Sequence, residues 1–442
     1  VAGPRISSGY PAIVVTTVVL LAPLGTIDAV VSVPGSKSLA NRALVCAMLS
    51  KEASRISGIP SGDDARVVLD VIRDSGRSIT IIDSEVVIGE TVALKFPGIV
   101  DAVLAGTSSR FLTAVAALFD TTTIIDGETV LRSRPMADLH EALVSLGAEV
   151  SHLGEVGYLP VSVSRGSLSG GDIHIAGNVS SQFISALMLI GPMLDGGLIV
   201  HVDGPLISRS YVEMTAHVMR AFGASVVLNE SSISISSGAY AGRNYSIEPD
   251  YSSAAFPLVA VAVREGRVVI PGLATASLQG DSEIIPILKK MGLSCTVSGT
   301  DISVSRLATT QVLPLVMDMS DCSDLVPAVA VACCMASGES VLTGIGFIRN
   351  KESDRLGDLA HELNRAGGNV TVEKDGLRIV GPCAWKPVVF DSHHDHRLAM
   401  ALSLLSLCAS GVEIADPEVV TKSWPDYFAD MAPILGSYET GN

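Results

Sequence analysis

Two landmarks recur roughly every seventy residues along the chain, and a repeat of that length points to one supersecondary unit copied several times. The first is a helix that ends on glycine and gives way to a strand, as in "DSGRSITII", "SLGAEV", "AFGASVVL", "KMGLSCTV", "RAGGNVTV" and "ILGSYE". Gly76, Gly147, Gly223, Gly292, Gly367 and Gly436 fall 71, 76, 69, 75 and 69 residues apart. A glycine there fits a left-handed helix C-cap, the least strained way to turn the chain back into a strand. The second landmark is an apolar run opened by a polar residue: "SLANRALVCAML", "SSRFLTAVAALF", "SQFISALMLIG", "SSAAFPLVAVAV", "DLVPAVAVACCM" and "HRLAMALSLLSL". Its heads, Ser38, Ser108, Ser181, Ser252, Asp324 and His396, are spaced 70, 73, 71, 72 and 72. A helix apolar all round lies inside a domain, not on its surface. The spacing therefore predicts an α/β fold of six βα-type units, each contributing one buried central helix with a polar N-terminus.

Six such helices suit two clusters of three. If the N-termini in each cluster point the same way, their free N–H groups and positive dipole ends create an anion site between two lobes. Taken singly, each polar head reads equally well as an N-cap. The basic residues gathered beside the heads favour the anion site. Lys37 and Arg42 flank the first head, with Ser38 and Arg42 four apart on one helical face. Arg110 follows "AGTSS", Arg134 sits in "RSRPMADL", Arg397 heads the sixth helix in "HDHRL", and Lys422 lies in "VTKSWPDYF". In "NKESDRL" the spacing of Lys351, Glu352 and Arg355 predicts one acid and two bases on one helical face, although exposed pairs of that kind contribute little by themselves.

The rest of the chain is acidic, with a net charge of −16 and only 4% aromatic residues, which argues against a nucleic-acid partner. An anionic small molecule needs only a local basic pocket. "VPGSKSLANRAL" is not a nucleotide-triphosphate loop, because Ser36 precedes Lys37 where glycine is required and no partner glycine lies five positions earlier. "HHDH" resembles a metal cluster, but Asp395 and His396 lead into a buried helix and no thiol or further carboxylate is spaced to complete a shell. Seven cysteines without CxxC spacing read as small buried residues in a reducing, cytoplasmic compartment. "PAIVVTTVVLLAPLG" is too short and too broken by Pro23 to span a bilayer, and reads as a strand.

Together, "PGSKSLANRAL", "AGTSSRFL", "RSRPMADL", "VSSQFISALM", "PLISRSYVEMT", "KESDRL", "DHRLAMA" and "TKSWPDYF" resemble the 5-enolpyruvylshikimate-3-phosphate (EPSP) synthase family, the 3-phosphoshikimate 1-carboxyvinyltransferases, in order from about residue 25 onward. The resemblance implies a two-domain enolpyruvyl transferase fold of six βαβαββ units, three per domain. It places one lobe at residues 35–249 and the other at 1–34 plus 250–442, with crossings near Pro34 and Asp250. It also implies a monomer without metal or organic cofactor, acting on phosphoenolpyruvate and shikimate 3-phosphate. Carried over by motif, Lys37, Arg134, Gln182, Arg355, Arg397 and Lys422, aided by the backbone at Gly106, are expected at phosphoenolpyruvate, and Thr107 is expected to bind substrate beside them. Ser38, Arg42, Ser180, Ser181, Gln182, Ser208, Tyr211 and Lys351 are expected at shikimate 3-phosphate, with Lys37 touching both. Asp324 is expected as the base for the attacking hydroxyl, Glu352 as the group that delivers and removes the methyl proton, and Lys422 as its partner.

The chain departs from the family pattern at Leu104 and Phe347, where asparagine is expected, and at Phe111, where proline is frequent; Asp64 matches an aspartate beside the cleft. Two rival readings stand beside this one. An enolpyruvyl transferase acting on UDP-N-acetylglucosamine is expected to carry Lys-Asn in the first motif and a reactive cysteine in the N-terminal half. Here the pair is Lys37–Ser38, and residues 47–294 hold no cysteine. A silent anion-binding scaffold has no need of Asp324, Glu352 and Lys422 together.

Overall fold

A computed structural model describes residues 17–20, 25–178, 180–273 and 276–441. It holds six four-stranded sheets, and the third unit shows the plan of all of them. Strands Gly171–Ala176 and Leu198–Asp203 pair in parallel, with Ile173 opposite Val200, and the apolar helix Ser181–Ile190 lies between them in sequence. A second helix, Arg209–Ala221, then leads to Val226–Leu228 and Ser232–Ile235, which extend the sheet antiparallel. This is a βαβαββ unit, and the apolar helix is its inner member.

Three of the sheets close on a strand from far along the chain. Asn244–Ser246 runs parallel to Ser54–Ser57, and Ile27–Val30 runs parallel to Gly266–Ile270. Thr17–Leu20 lies between Val412–Ala415 and Tyr438–Gly441, so part of the apolar N-terminal run is a strand, as its composition suggested. Its remainder, residues 11–16 and 21–24, lies outside the described residues.

The inner helices are Lys37–Leu49, Gly106–Ala116, Ser181–Ile190, Tyr251–Val263, Val326–Met335 and His396–Ser403. Their side chains are buried nearly throughout, as all-round apolarity requires. The first three belong to one continuous apolar core drawn from residues between Leu39 and Ile247. The last three belong to a second core, built from Val18 to Val31 and from Tyr251 to Leu435. The chain crosses between the cores twice, side by side: Ser36 N–H donates to Glu248 O at 2.8 Å and Asp250 N–H donates to Pro34 O at 2.9 Å. Asp250 also anchors two inner helices, accepting from Ser253 N at 2.9 Å and from Lys37 N at 3.1 Å. Among the described residues, no helix is long and apolar enough to cross a membrane.

All six repeat glycines take positive φ, from +83° at Gly76 to +106° at Gly367. A side chain at Gly76 meets open space, whereas a Cβ at Gly367 comes within 2.2 Å of Ala384 O. Gly76→Ala is therefore expected to cost only the left-handed backbone, about 1–2 kcal/mol. Gly367→Ala adds the clash, about 1–3 kcal/mol more. Equilibrium denaturant unfolding reads both values, and equal losses contradict this assignment.

Candidate active site

Five of the six inner-helix heads converge on one cleft of about 260 Å³, and the fourth stands behind it, its Ser252 Oγ 3.0 Å from Arg397 Nη2. From the first core come Lys37, Ser38, Arg42, Gly106, Thr107, Arg110, Arg134, Ser180, Ser181, Gln182, Ser208 and Tyr211; from the second come Asp324, Phe347, Lys351, Glu352, Arg355, His396 and Arg397. Lys422 reaches the same place through Glu352, its Nζ 2.7 Å from Oε1. All the residues expected at the substrates, and all the expected acid–base groups, are thus gathered together. The six heads are not the caps themselves. Where a side chain caps an inner helix it belongs to a residue one or two positions before the head, as Ser180, Asp250 and Asp395 do. Asp324 sits in the 3-10 turn Ser323–Leu325 ahead of its helix, leaving its carboxylate free to face the cleft.

Arg355 is the hub of the electrostatics. Its guanidinium, 1% exposed, contacts three carboxylates: Asp395 from Nε at 2.6 Å, Glu352 from Nη2 at 2.7 Å and Asp324 from Nη1 at 2.9 Å. A planar fork with five donors can do this, and an ammonium cannot. Asp324 receives a second guanidinium, Arg397 Nη2 at 2.9 Å, while Glu352 receives Lys422 and, at 3.4 Å, Arg134. Burial alone raises both carboxyls, but the cations outweigh it: Arg397, Lys351 and Arg355 hold Asp324 below the usual carboxylate range, and Lys422, Arg355 and Arg134 hold Glu352 well below it. Burial in turn makes the Lys351 and Lys422 ammonium groups easier to deprotonate.

The shared helical face expected of Lys351, Glu352 and Arg355 is not what brings them together. Residues 351–356 form a bent loop between the short 3-10 turn Gly346–Asn350 and the helix Gly357–Arg365. Asp354 is the cause. Its carboxylate accepts from the backbone N–H of Leu356 at 3.2 Å and Gly357 at 2.9 Å, a local turn that competes with helix. The loop swings Glu352 and Arg355 inward, and the Lys351 ammonium lies 5.8 Å from the centre of the Phe347 ring, the position where asparagine was expected.

Arg42 and Arg110 show what the cleft is built for. Both are buried, at 1% and 3% exposure, yet neither forms an ion pair with a carboxylate among the described residues. Arg42 donates to Thr215 Oγ1 at 2.7 Å, Ser38 O at 2.7 Å and Ser185 Oγ at 3.3 Å, and its guanidinium lies 5.3 Å from the centre of the Phe111 ring. Burial pulls Arg42 down to about 10 and Arg110 well below its ordinary value. Arg110 donates to Gly106 O at 2.7 Å, and a Cβ on Gly106 would stand 2.1 Å from Arg134 Nη1, so the bare glycine admits two guanidinium groups at one helix head. A buried cation with only neutral partners is costly, and an anionic ligand offsets that cost.

Lys37 Nζ lies 3.4 Å from Asp64, which is 1% exposed, and Gln182 Nε2 donates to Thr107 Oγ1 at 3.2 Å, linking the second and third heads. Ser208 takes φ +54° and contacts Ser320 O at 3.4 Å, across to the other core. Asp281 was not anticipated from the sequence. It is buried in the 3-10 turn Gly280–Glu283, within contact of Tyr211. Among the described residues, no group of three or more His, Cys, Asp or Glu is placed to hold a metal ion; His393 of "HHDH" contacts Glu362 instead, at 3.2 Å.

Fold and cleft together define a transferase of the two-domain enolpyruvyl class. The profile described as EPSP synthase (3-phosphoshikimate 1-carboxyvinyltransferase) matches residues 21–431, and the chain belongs to that family. A 3-phosphoshikimate 1-carboxyvinyltransferase of Serratia proteamaculans is 32% identical over 94% of this chain and 98% of its own. One of Colwellia psychrerythraea is 33% identical over the same shares. The solved EPSP synthase of Acinetobacter baumannii superposes with a TM-score of 0.81 at 28% identity, covering 97% of this chain and 100% of that one.

If Arg42 and Arg110 await an anion, inorganic phosphate should stabilise the fold. At a hundredfold excess over its Kd the gain is about 2.7 kcal/mol, and Arg42→Met should remove most of it. A thermal melt that phosphate leaves unmoved contradicts the anion-site reading.

Proposed function

We propose that Asp324, Glu352 and Lys422 carry out the proton transfers of the family's reaction in this cleft. As a member of the family, the chain moves the enolpyruvyl group of phosphoenolpyruvate to the 5-hydroxyl of shikimate 3-phosphate and releases inorganic phosphate, a step of the shikimate pathway to aromatic amino acids. The observation that carries the residue roles is the shared set of cations between two ionised carboxylates and the places where substrate anions bind.

Asp324 takes the proton of the 5-hydroxyl as its oxygen bonds to C2 of phosphoenolpyruvate, while Glu352, having first taken a proton from the Lys422 ammonium 2.7 Å away, passes that proton to C3, producing a tetrahedral intermediate. The C2–O bond to phosphate then breaks, and Glu352 takes a methyl proton back to restore the double bond. Held as they are, both carboxylates are weak bases. Phosphate and carboxylate groups of the substrates compete for Arg134, Arg355, Arg397 and Lys422. As they draw those cations away, Asp324 and Glu352 become more basic, so each gains proton affinity only when its substrate is in place. Lys37, Gly106, Thr107, Gln182 and the same four cations would hold phosphoenolpyruvate. Ser38, Arg42, Ser180, Ser181, Ser208, Tyr211 and Lys351 would hold shikimate 3-phosphate.

The two cores support lobes at 35–249 and at 1–34 plus 250–442, with the paired crossings at residues 34–36 and 248–250 as the hinge on which they close. The first 16 residues of the second lobe lie outside the described residues. The seven cysteines are all unpaired, which supports the reducing cytoplasm, and a cleft assembled within one chain supports a monomer. The net charge of −16 supports small anions, not nucleic acid, as partners.

Asp324→Ala and Glu352→Gln should each lower kcat by about 10²–10⁴-fold while shikimate 3-phosphate still binds, read by phosphate release in a coupled assay. Near-normal turnover in either folded variant removes that residue from its role. Phosphate release with UDP-N-acetylglucosamine but not with shikimate 3-phosphate would move the substrate assignment to the related enzyme.

A further inference from the structure

Asp281 is a buried carboxyl beside the reacting groups that the reaction as described does not use. It is 6% exposed, and its Oδ1 has no hydrogen-bond partner among the described residues. Its Oδ2 lies 3.5 Å from the Tyr211 hydroxyl, which lies 3.2 Å from Asp324 Oδ2 on the other side. Tyr211 thus sits between two carboxyl groups with one hydrogen to give.

Counting hydrogens settles the direction. Both oxygens of Asp324 accept from guanidinium groups, Oδ1 from Arg355 and Oδ2 from Arg397, so Asp324 is ionised and can only accept. Tyr211 therefore donates to Asp324. Its oxygen then faces Asp281 Oδ2 with no hydrogen between them unless Asp281 supplies one. We propose that Asp281 is a positioning residue that donates a hydrogen bond to the Tyr211 hydroxyl and thereby fixes Tyr211 as the donor to Asp324. The inference rests on the reading of Asp324 as the base for the substrate hydroxyl.

The surroundings agree. The groups facing Asp281 are Tyr211 from the helix Arg209–Ala221, Asp324 and Cys322 around the 3-10 turn ahead of the fifth inner helix, Asp250 at the fourth helix head, Arg397 at the sixth, and Lys351 from the loop. Burial, then Asp324 and Asp250, push the Asp281 carboxyl up to about 8 against the pull of Arg397 and Lys351. Tyr211 is driven well above its ordinary value and keeps its proton. Asp281 is thus a neutral donor below about pH 8. Above that pH it becomes an anion, contests the Tyr211 hydrogen and repels the arriving phosphate ester.

The test is the pH dependence of kcat/KM for shikimate 3-phosphate. In the wild-type enzyme it should fall between pH 7 and 9 with an apparent pKa near 8. Asp281→Asn, whose amide donates at every pH, should move that fall to higher pH while staying within about threefold of wild type at pH 7. Asp281→Ala, with neither donor nor charge, should lose about tenfold at pH 7. Three results overturn the proposal: no fall in the wild type, which needs no variant; a fall that Asp281→Asn leaves in place, which would assign it to Lys351 or Lys422; and equal losses in Asn and Ala variants, which would make Asp281 merely structural. The separate Asp324→Ala assay tests the base itself, so failure of that reading and failure of the Asp281 link give different outcomes.

Discussion

The contact on which the site depends is one guanidinium held by three carboxylates. Arg355 joins Asp395, which caps the sixth inner helix, to Asp324 at the fifth and to Glu352 in the loop between them. Asp395 holds Arg355 from behind with both oxygens and also accepts from Ser353 Oγ, so the fork is aimed before any substrate arrives. Removing one partner of such a buried cluster leaves an uncompensated charge, which typically costs about 3–5 kcal/mol. Arg355 therefore sets the distance and orientation of the two carboxylates proposed to move protons, and does so through hydrogen bonds whose geometry a lysine cannot reproduce.

The fold supplies this arrangement by repetition. Each βαβαββ unit buries one apolar helix, and burial forces the polar residues of that helix to its ends. Three helices in the first core bring their N-termini to the cleft, and the second core adds the heads of the fifth and sixth. Positive helix ends, Arg42 and Arg110 without carboxylate partners, and the cations shared by Asp324 and Glu352 all favour negative charge in the gap between the cores. An acidic protein can therefore bind two polyanions: its surplus negative charge lies elsewhere, while eight basic side chains collect at and around the cleft.

The features legible in the sequence were those set by local physics. All-round apolarity marked the six inner helices, and the repeat glycines marked the left-handed turns that follow the outer ones, because both depend on a few adjacent residues. The basic residues at the heads were legible as a group from their positions, and the family motifs supplied their expected roles. What depended on distant contacts was not legible. The loop at 351–356 looked helical by spacing, since nothing in "KESDRL" announces that the Asp354 side chain will bond its own following backbone. The polar heads looked like caps, but true caps such as Asp250 and Asp395 stand two and one positions earlier and serve tertiary contacts as well. Nothing in "QGDSE" singled out Asp281; its neighbours in the site, Tyr211 and Asp324, lie 70 and 43 positions away in the chain.

The account turns on a partner exchange in which substrate anions replace carboxylates at shared cations. A crystal structure with shikimate 3-phosphate and an unreactive phosphoenolpyruvate analogue measures this directly. It should show the phosphate ester at the Ser180–Ser181 head near Arg42, the analogue's carboxylate on Arg355 or Arg397 in place of an Asp324 or Glu352 oxygen, and the 5-hydroxyl within about 3 Å of Asp324. Both ligands bound with every carboxylate–cation contact intact, or bound away from the helix heads, would contradict it.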